Sequence, residues 1–233
     1  MTATVHMVGA GPGDPMLLTR RAAHLLAVAE VVVCDRRSLD QIVALAPPAA
    51  ERVFVGRADG QAGWATERVA DLLAARARAG RMVVRLKGGD PFVCSRGGEE
   101  MLALIERGIV CQVTPGVTAA TAAPLAAGLP RGRTVTIVAG NDDPLHPPTD
   151  LAALADPLGS LVVMVGRARQ GAIAATLTTG GGLDPATPAA VVHGATRATA
   201  RVHHTRLAAL GYHRLPPPST VVIGPEVRVG AHT

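Results

Sequence analysis

Aromatic side chains are nearly missing from this chain: Phe54, Trp64, Phe92 and Tyr212 make up 2% of its 233 residues. Stacking platforms for single-stranded nucleic acid need several such rings on one surface. Lysine is scarcer still, since Lys87 is the only one among 23 basic residues. The arginines are scattered singly and in pairs, without the basic run of a nucleic-acid tail. No nucleic-acid partner is therefore expected. Cysteine is limited to Cys34, Cys94 and Cys111, odd in number and without a C-x-x-C spacing. That pattern excludes a disulfide framework and a zinc site, and no metal is expected. Long apolar runs are absent too: the best, from Leu25 to Cys34, is broken by Glu30 and falls short of the ~18 residues that span a bilayer. No membrane association is expected. The chain enters its first strand pattern with no basic-then-apolar leader, which predicts a reduced, cytoplasmic protein.

What is present is a globular composition, 48% apolar and 18% charged, with a net charge of +5. The positive balance suits an acidic ligand. Short apolar runs alternate with helical patterns. Thr4–Val8 is a strand pattern. Leu18, Ala22, Leu25 and Ala29 then fall on one face of a helix. Val31-Val32-Val33-Cys34 is a run without alternation, as in a strand covered on both faces. Strand patterns at Arg52–Gly56, Met82–Leu86 and Val110–Val113 follow, separated by helical patterns around Ala65–Leu73 and Glu99–Arg107. A small-residue helix is predicted over Thr118–Ala127. This order predicts an α/β fold, a mostly parallel doubly wound sheet.

Gly128-Leu129-Pro130 punctuates the chain. Beyond it strands dominate: Thr134–Val138, Leu161–Val165, Ala189–His193, Ala200–Thr205 and Thr220–Ile223, with one helix over Ala168–Thr178. The sequence thus predicts an N-terminal α/β domain over 1–130 and a C-terminal mixed α/β domain over 131–233. His193, His203 and His204 lie in or near strands and read as ordinary polar positions.

In open α/β sheets, ligands bind beyond the carboxyl ends of the strands. Gly9–Asp14, Asp35, Gly56-Arg57, Gly88–Pro91 and Thr114–Thr118 all follow strand patterns, which places them on one rim. The first loop imitates a dinucleotide fingerprint, with Asp35 imitating its ribose-binding acid. The spacing disagrees: the third glycine of G-x-G-x-x-G falls on Asp14, and an acid there opposes a pyrophosphate.

The segment Val8-Gly9-Ala10-Gly11-Pro12-Gly13-Asp14-x-x-Leu17-Leu18-Thr19 resembles the opening motif of the tetrapyrrole methylases. These are the class III methyltransferases that use S-adenosyl-L-methionine. Val83-Val84-Arg85-Leu86-Lys87-Gly88-Gly89-Asp90-Pro91-Phe92, continued by Arg96-Gly97-Gly98-Glu99-Glu100, is most similar to the uroporphyrinogen-III C-methyltransferase branch. Thr114-Pro115-Gly116-Val117-Thr118-Ala119-Ala120 matches the next motif. Leu161–Gly166 and Ala195-Thr196-Arg197 continue the match in the second domain.

The resemblance implies a two-domain tetrapyrrole methylase fold, with the cofactor in the trough between domains and usually a homodimer. It implies methyl transfer from S-adenosyl-L-methionine, leaving S-adenosyl-L-homocysteine. The acceptor it implies is the acidic tetrapyrrole uroporphyrinogen III, giving precorrin-2 for sirohaem and cobalamin. Pro12, Gly88, Gly89, Asp90, Val93, Thr118 and Ala119 match the family's cofactor-lining positions, and Val165 and Ala195 match those of the second domain. Asp90 is the candidate partner for ribose hydroxyls. Asp35 matches the aspartate assigned as proton acceptor, and Arg57 stands where the family has a proton-donating lysine. A guanidinium is a poor proton donor but grips carboxylates through its planar fork. Arg36, Arg37, Arg57, Arg85, Arg96 and Arg131 are the rim cations available to the substrate's carboxylates. The segment after Pro130 is shorter than the family's. Alternatives therefore stay open: another precorrin or a non-tetrapyrrole substrate, a cofactor-binding protein without turnover, or an NAD-type oxidoreductase.

Overall fold

The computed structural model describes residues 3–35, 37–56, 63–130, 132–140, 150–165, 170–212 and 219–227. The chain divides into two compact units, Met1–Thr118 and Ala119–Thr233.

The first unit is built on five strands: β1 (Thr4–Gly9), β2 (Val31–Cys34), β3 (Glu51–Phe54), β4 (Val83–Lys87) and β5 (Val110–Thr114). They pair in the order β3-β2-β4-β1-β5, and every pairing is parallel. All four residues of β2 are buried, as a run without alternation requires when helices cover both faces. On one face α1 (Arg20–Ala27) and α2 (Asp40–Val43) bury Ala22, Leu26 and Ile42 against Val8, Val32, Val84 and Leu86. On the other, α3 (Thr66–Arg78) and α4 (Gly97–Glu106) bury Leu73 and Leu104 against Val5, Val31, Val33 and Val83. Alternate residues of each strand feed opposite cores, the two-residue period of extended chain.

The helix ends follow local chemistry. Thr19 caps α1 by accepting a hydrogen bond from the Ala22 N–H at 3.1 Å. Gly80 and Gly108, with φ near +76° and +70°, close α3 and α4 in the left-handed conformation that glycine adopts without strain. The short helix α2 has no counterpart in the sequence-based expectation, because four residues carry too little periodicity to register.

The chain leaves β1 toward α1 on one face and leaves β4 toward α4 on the other. β1 and β4 are neighbours, so their C-terminal loops part there, at a topological switch point.

The second unit carries five strands, β6 (Val135–Ala139), β7 (Ser160–Val165), β8 (Pro188–His193), β9 (Arg201–Arg206) and β10 (Ser219–Ile223), in the order β6-β7-β10-β8-β9. Only the β6–β7 pairing is parallel, so the sheet is mixed. One face packs on α6 (Gln170–Thr179) through Ile173 and Leu177. The other is covered by α5 (Ala119–Ala126), whose Ala120 and Ala123 pack on Val162, Ala190, Val192 and Val222. The unit boundary therefore lies at Thr118/Ala119 and not after Pro130. The alanine-rich face of α5 is flat and apolar and belongs to the second core, which the punctuation at Gly128–Pro130 gives no hint of.

Among the described residues no helix is long and apolar enough to cross a membrane.

Candidate active site

The C-terminal ends of β1, β4 and β5 are held together backbone to backbone. Gly11 and Gly89 form an isolated antiparallel bridge, with N–H···O distances of 3.1 and 2.8 Å, and the Ala10 N–H donates to Lys87 O at 2.7 Å. Gly116, after β5, lies against Gly9: a Cβ at Gly9 would stand 2.5 Å from the Gly116 nitrogen and 2.8 Å from Gly89 O. Such approach is open only to residues without a side chain. Gly11, Gly13 and Gly89 also have φ of 69°, 137° and 70°. The glycine pattern is thus a requirement of three loops meeting, whatever they go on to bind.

Asp90 fastens this junction. Its Oδ1 accepts from the Phe92 N–H at 2.8 Å and its Oδ2 from the Gly116 N–H at 3.0 Å. The carboxylate expected to serve a ribose therefore already ties the β4 loop to the β5 loop, and only its remaining lone pairs are open to a ligand. Asp14, at the discordant position of the dinucleotide pattern, accepts from the Met16 N–H at 2.8 Å and starts a short 3-10 turn, Pro15–Leu17. Helix α1 begins only at Arg20, with Thr19 as its cap. No helix N-terminus points from the glycine loop, so the pyrophosphate seat of a dinucleotide fold is missing.

Beside the junction lies a cluster of four charges. Arg85 and Lys87 stand two residues apart on β4, on the face that packs against α4. Arg85 Nε donates to Glu100 Oε2 at 2.7 Å, and Arg85 Nη2 to Glu100 Oε1 at 2.9 Å. The Arg85 Nη2 also pairs with Asp35 Oδ1, and its Nη1 reaches Val33 O at 3.2 Å. Lys87 Nζ sits 2.6 Å from Glu100 Oε1 and 3.2 Å from Asp35 Oδ2. The side chains of Arg85, Lys87 and Glu100 are 1%, 4% and 7% exposed, whereas Asp35 keeps 29%. Asp35 is thus the open end of a buried network of two cations and two carboxylates.

Position explains this arrangement. Cys34 is in register with Leu86, so Asp35 emerges from β2 level with Lys87. Gly56, after β3, packs on the Asp35 carbonyl so tightly that a Cβ there would overlap it. Glu100 lies in the first turn of α4, where a helix favours negative charge. The preceding Gly97 is likewise forced, since a Cβ would overlap Pro91 O.

Electrostatics follow from these contacts. Burial pushes the Asp35 carboxyl up, but the charges of Arg85 and Lys87 and their hydrogen bonds outweigh it and hold it below the usual carboxylate range. Burial likewise works against the Arg85 guanidinium, and Asp35 and Glu100 outweigh it and raise its pKa. Cys111 is pushed up to about 11 by burial and by the nearby Glu100 charge, so its thiol is unreactive at neutral pH.

Most expected site residues of the first unit gather on this rim. Pro12, Gly88, Gly89, Asp90, Val93 and Thr118 are all half-buried, and so is Ala119 at the start of α5. In the second unit Ala195 is 7% exposed and packs into the core with Val162 and Val222, which leaves only its backbone for a ligand. Val165 ends β7. Among the rim cations, Arg85 is a correction: it is consumed internally by Asp35 and Glu100 and offers nothing to a substrate carboxylate. Arg96 is exposed and pairs with Glu99 at 3.0 Å. Arg36, Arg57 and Arg131 lie outside the described residues, as does the side chain of Arg37. Sequence reasoning missed Glu100 and Lys87 as site residues. The available signal was a lone lysine two positions from an arginine in an otherwise apolar strand.

Two surface depressions of about 320 Å3 each lie in the second unit, one lined by Leu125, Leu129 and Val135, the other by Pro188, His204 and Val227; neither touches the rim loops. Among the described residues no His, Cys, Asp and Glu group is arranged to hold a metal ion.

The family described as Tetrapyrrole (Corrin/Porphyrin) Methylases matches residues 4–211. The S-adenosyl-L-methionine-dependent uroporphyrinogen III methyltransferase of Methanosarcina barkeri is 38% identical over 236 residues, covering 97% of this chain and 92% of that protein. Siroheme synthase 1 of Halorhodospira halophila is 39% identical, but the chain spans only 48% of its length. The crystal structure of uroporphyrin-III C-methyl transferase from Thermus thermophilus, complexed with S-adenyl homocysteine, superposes with a TM-score of 0.83 at 40% identity, covering 97% of this chain and 99% of that one. With its parallel sheet, its glycine junction and a match across most of its length, this chain belongs to the tetrapyrrole methylases.

Proposed function

We propose that the chain is an S-adenosyl-L-methionine-dependent C-methyltransferase that converts uroporphyrinogen III to precorrin-2. The observation that carries this reading is Asp35, partly exposed and paired with Arg85 and Lys87, beside a cradle made of glycine backbone. The relatives named above support the substrate.

The residues present fit a nucleoside cofactor. At Gly9 and Gly116 any Cβ would fill the junction, so backbone groups alone line it. Pro12, Gly88, Gly89, Asp90, Val93 and Thr118 would hold the cofactor. When bound, S-adenosyl-L-methionine supplies a methyl group already activated on a sulfonium. The protein's contribution is alignment, worth up to ~7–11 kcal/mol of barrier when the reacting atoms are held in line.

Carbon methylation leaves an electron-poor ring that must lose a proton. Asp35 is the acceptor: its carboxylate stays ionised, and the exposed part of it faces outward. A weak base suffices where the proton comes from a cationic carbon framework. Arg57, at the lysine position, serves a substrate carboxylate. The acting form is a homodimer.

Anaerobic incubation with uroporphyrinogen III and S-adenosyl-L-methionine tests the reading by product mass. A gain of two methyl groups is the expected result; an unchanged substrate mass with a folded, cofactor-binding protein would overturn it. Asp35→Asn should bind S-adenosyl-L-homocysteine normally and turn over about 10²–10⁴-fold more slowly. Unchanged turnover would remove Asp35 from the mechanism.

A further inference from the structure

The chain's only lysine is not on its surface. Lys87 is 3% exposed, at the end of β4, with its ammonium within 3.2 Å of one carboxylate and 2.6 Å of another. Every other cation among the 23 basic residues is an arginine. The ammonium is a compact point charge with donors that reach Asp35 and Glu100 from one atom, whereas a planar fork needs room on both flanks. That room is already taken by the Arg85 guanidinium, which donates to the same two carboxylates.

We propose that Lys87 is a positioning residue for Asp35, and that Glu100, by sharing Lys87 and Arg85, sets how strongly they hold it. The inference rests on the reading of Asp35 as proton acceptor given above, and deepens it. Asp35 has two oxygens and each is assigned: Oδ1 to Arg85, Oδ2 to Lys87. This fixes the plane of the carboxylate and leaves its outward lone pairs for the substrate. Glu100 draws the same two cations back toward α4, with three contacts of 2.6 to 2.9 Å. Without it, both cations would bear on Asp35 alone, and an acceptor so strongly held takes up a proton poorly. Without Lys87, Arg85 alone would oppose the effect of burial, and Asp35 would take up its proton at higher pH. The cluster balances these demands with two charges of each sign. Among the described residues, the charged and titratable groups around Asp35 are Arg85 and Lys87 on β4 and Glu100 on α4, with Cys111 on β5 next to Glu100.

A purely structural role for the cluster predicts loss of stability in every variant but no ordered movement of the pH profile of turnover. A positioning role predicts movement in opposite directions. Removing an opposite charge within 4–6 Å shifts a carboxyl by roughly 1–3 pH units. Lys87→Met should therefore move the Asp35 titration up by about that much, and Glu100→Gln should move it down. The titration is read directly by 13C NMR of the labelled Asp35 carboxyl in the whole protein, with circular dichroism confirming the fold. In turnover, Lys87→Met should move the acid limb of the pH profile of kcat/KM to higher pH, while affinity for S-adenosyl-L-homocysteine stays within about threefold. If folded Lys87→Met and folded Glu100→Gln both leave the Asp35 titration where it is, or move it the same way, the proposal is overturned. Should only one variant fold, the direction of its single shift decides. Turnover of Asp35→Asn is the separate control: if that variant works normally, the proton-acceptor reading fails whatever the carboxyl titration shows.

Discussion

Replacing Glu100 by glutamine removes one negative charge and nothing of the shape. In the parent, Glu100 Oε1 faces Lys87 Nζ at 2.6 Å and Arg85 Nη2 at 2.9 Å, while Oε2 faces Arg85 Nε at 2.7 Å. The amide offers one oxygen for these donors and turns its own NH2 toward the rest. Two cations, 1% and 4% exposed, are then left with Asp35 as their only carboxylate among the described residues. Removing one partner of a buried ion pair typically costs about 3–5 kcal/mol, because the remaining charge stays out of water without compensation. For a chain of this size that corresponds to a fall in Tm of about 6–20 °C. Trp64 is the single tryptophan and lies in the first unit, partly packed into its core, so its fluorescence during denaturation reports the unit that holds the cluster. The double variant Lys87→Met with Glu100→Gln removes one charge of each sign and should be less destabilised than the sum of the single changes. A Glu100→Gln protein within about 0.5 kcal/mol of the parent would behave like a surface substitution and refute the account of a buried, mutually dependent cluster.

Gly116→Ala places a methyl 2.8 Å from backbone atoms of Gly9 and into overlap with Gly89 O. The three loops must separate, and calorimetric titration should show at least about tenfold weaker S-adenosyl-L-homocysteine binding with ~1–3 kcal/mol lost from stability; parent-like affinity would detach the glycine junction from the cofactor site. Gln170, at the start of α6, is 2% exposed and its amide finds no hydrogen-bond partner among the described residues. Gln170→Leu should therefore raise stability, by about 1–3 kcal/mol in a denaturation series, and a loss would mean the amide is satisfied in solution. The Asp35 carboxyl titrates lower in the folded chain than in the unfolded one, so the stability it contributes is present above about pH 4 and is lost as pH falls through the folded-state value. Acid unfolding of Asp35→Asn should lack that component, which parallel acid titrations of the two proteins will show.

Much of the fold was legible because it is local. A run such as Val31–Cys34, or the spacing of Ala22 and Leu25 in α1, reports its own burial through the geometry of strand and helix. The rim was legible as well, because each motif follows a strand and parallel strands end on one side. The NAD-like reading fails in the structure for a reason visible in the spacing, Asp14 in place of a third glycine. Two things were hidden. The allegiance of α5 is decided by which sheet its alanines touch, and small residues carry no preference between cores. The fate of Arg85 was misjudged because an arginine near a rim looks available to a ligand until its partners are known.

The amino-acid order alone determined the alternation of elements, the parallel sheet, the positions of the glycines and the family resemblance. These depend on periodicity and on backbone conformations that few residue types tolerate. Tertiary structure alone decided the chemistry of the charges. Asp35 and Arg85 are 50 residues apart in the chain and Arg85 and Glu100 are 15 apart, and no pattern in the sequence states that β2, β4 and α4 converge. Only that convergence, away from water, turns four ordinary charged side chains into one network and leaves a single carboxylate open at its edge.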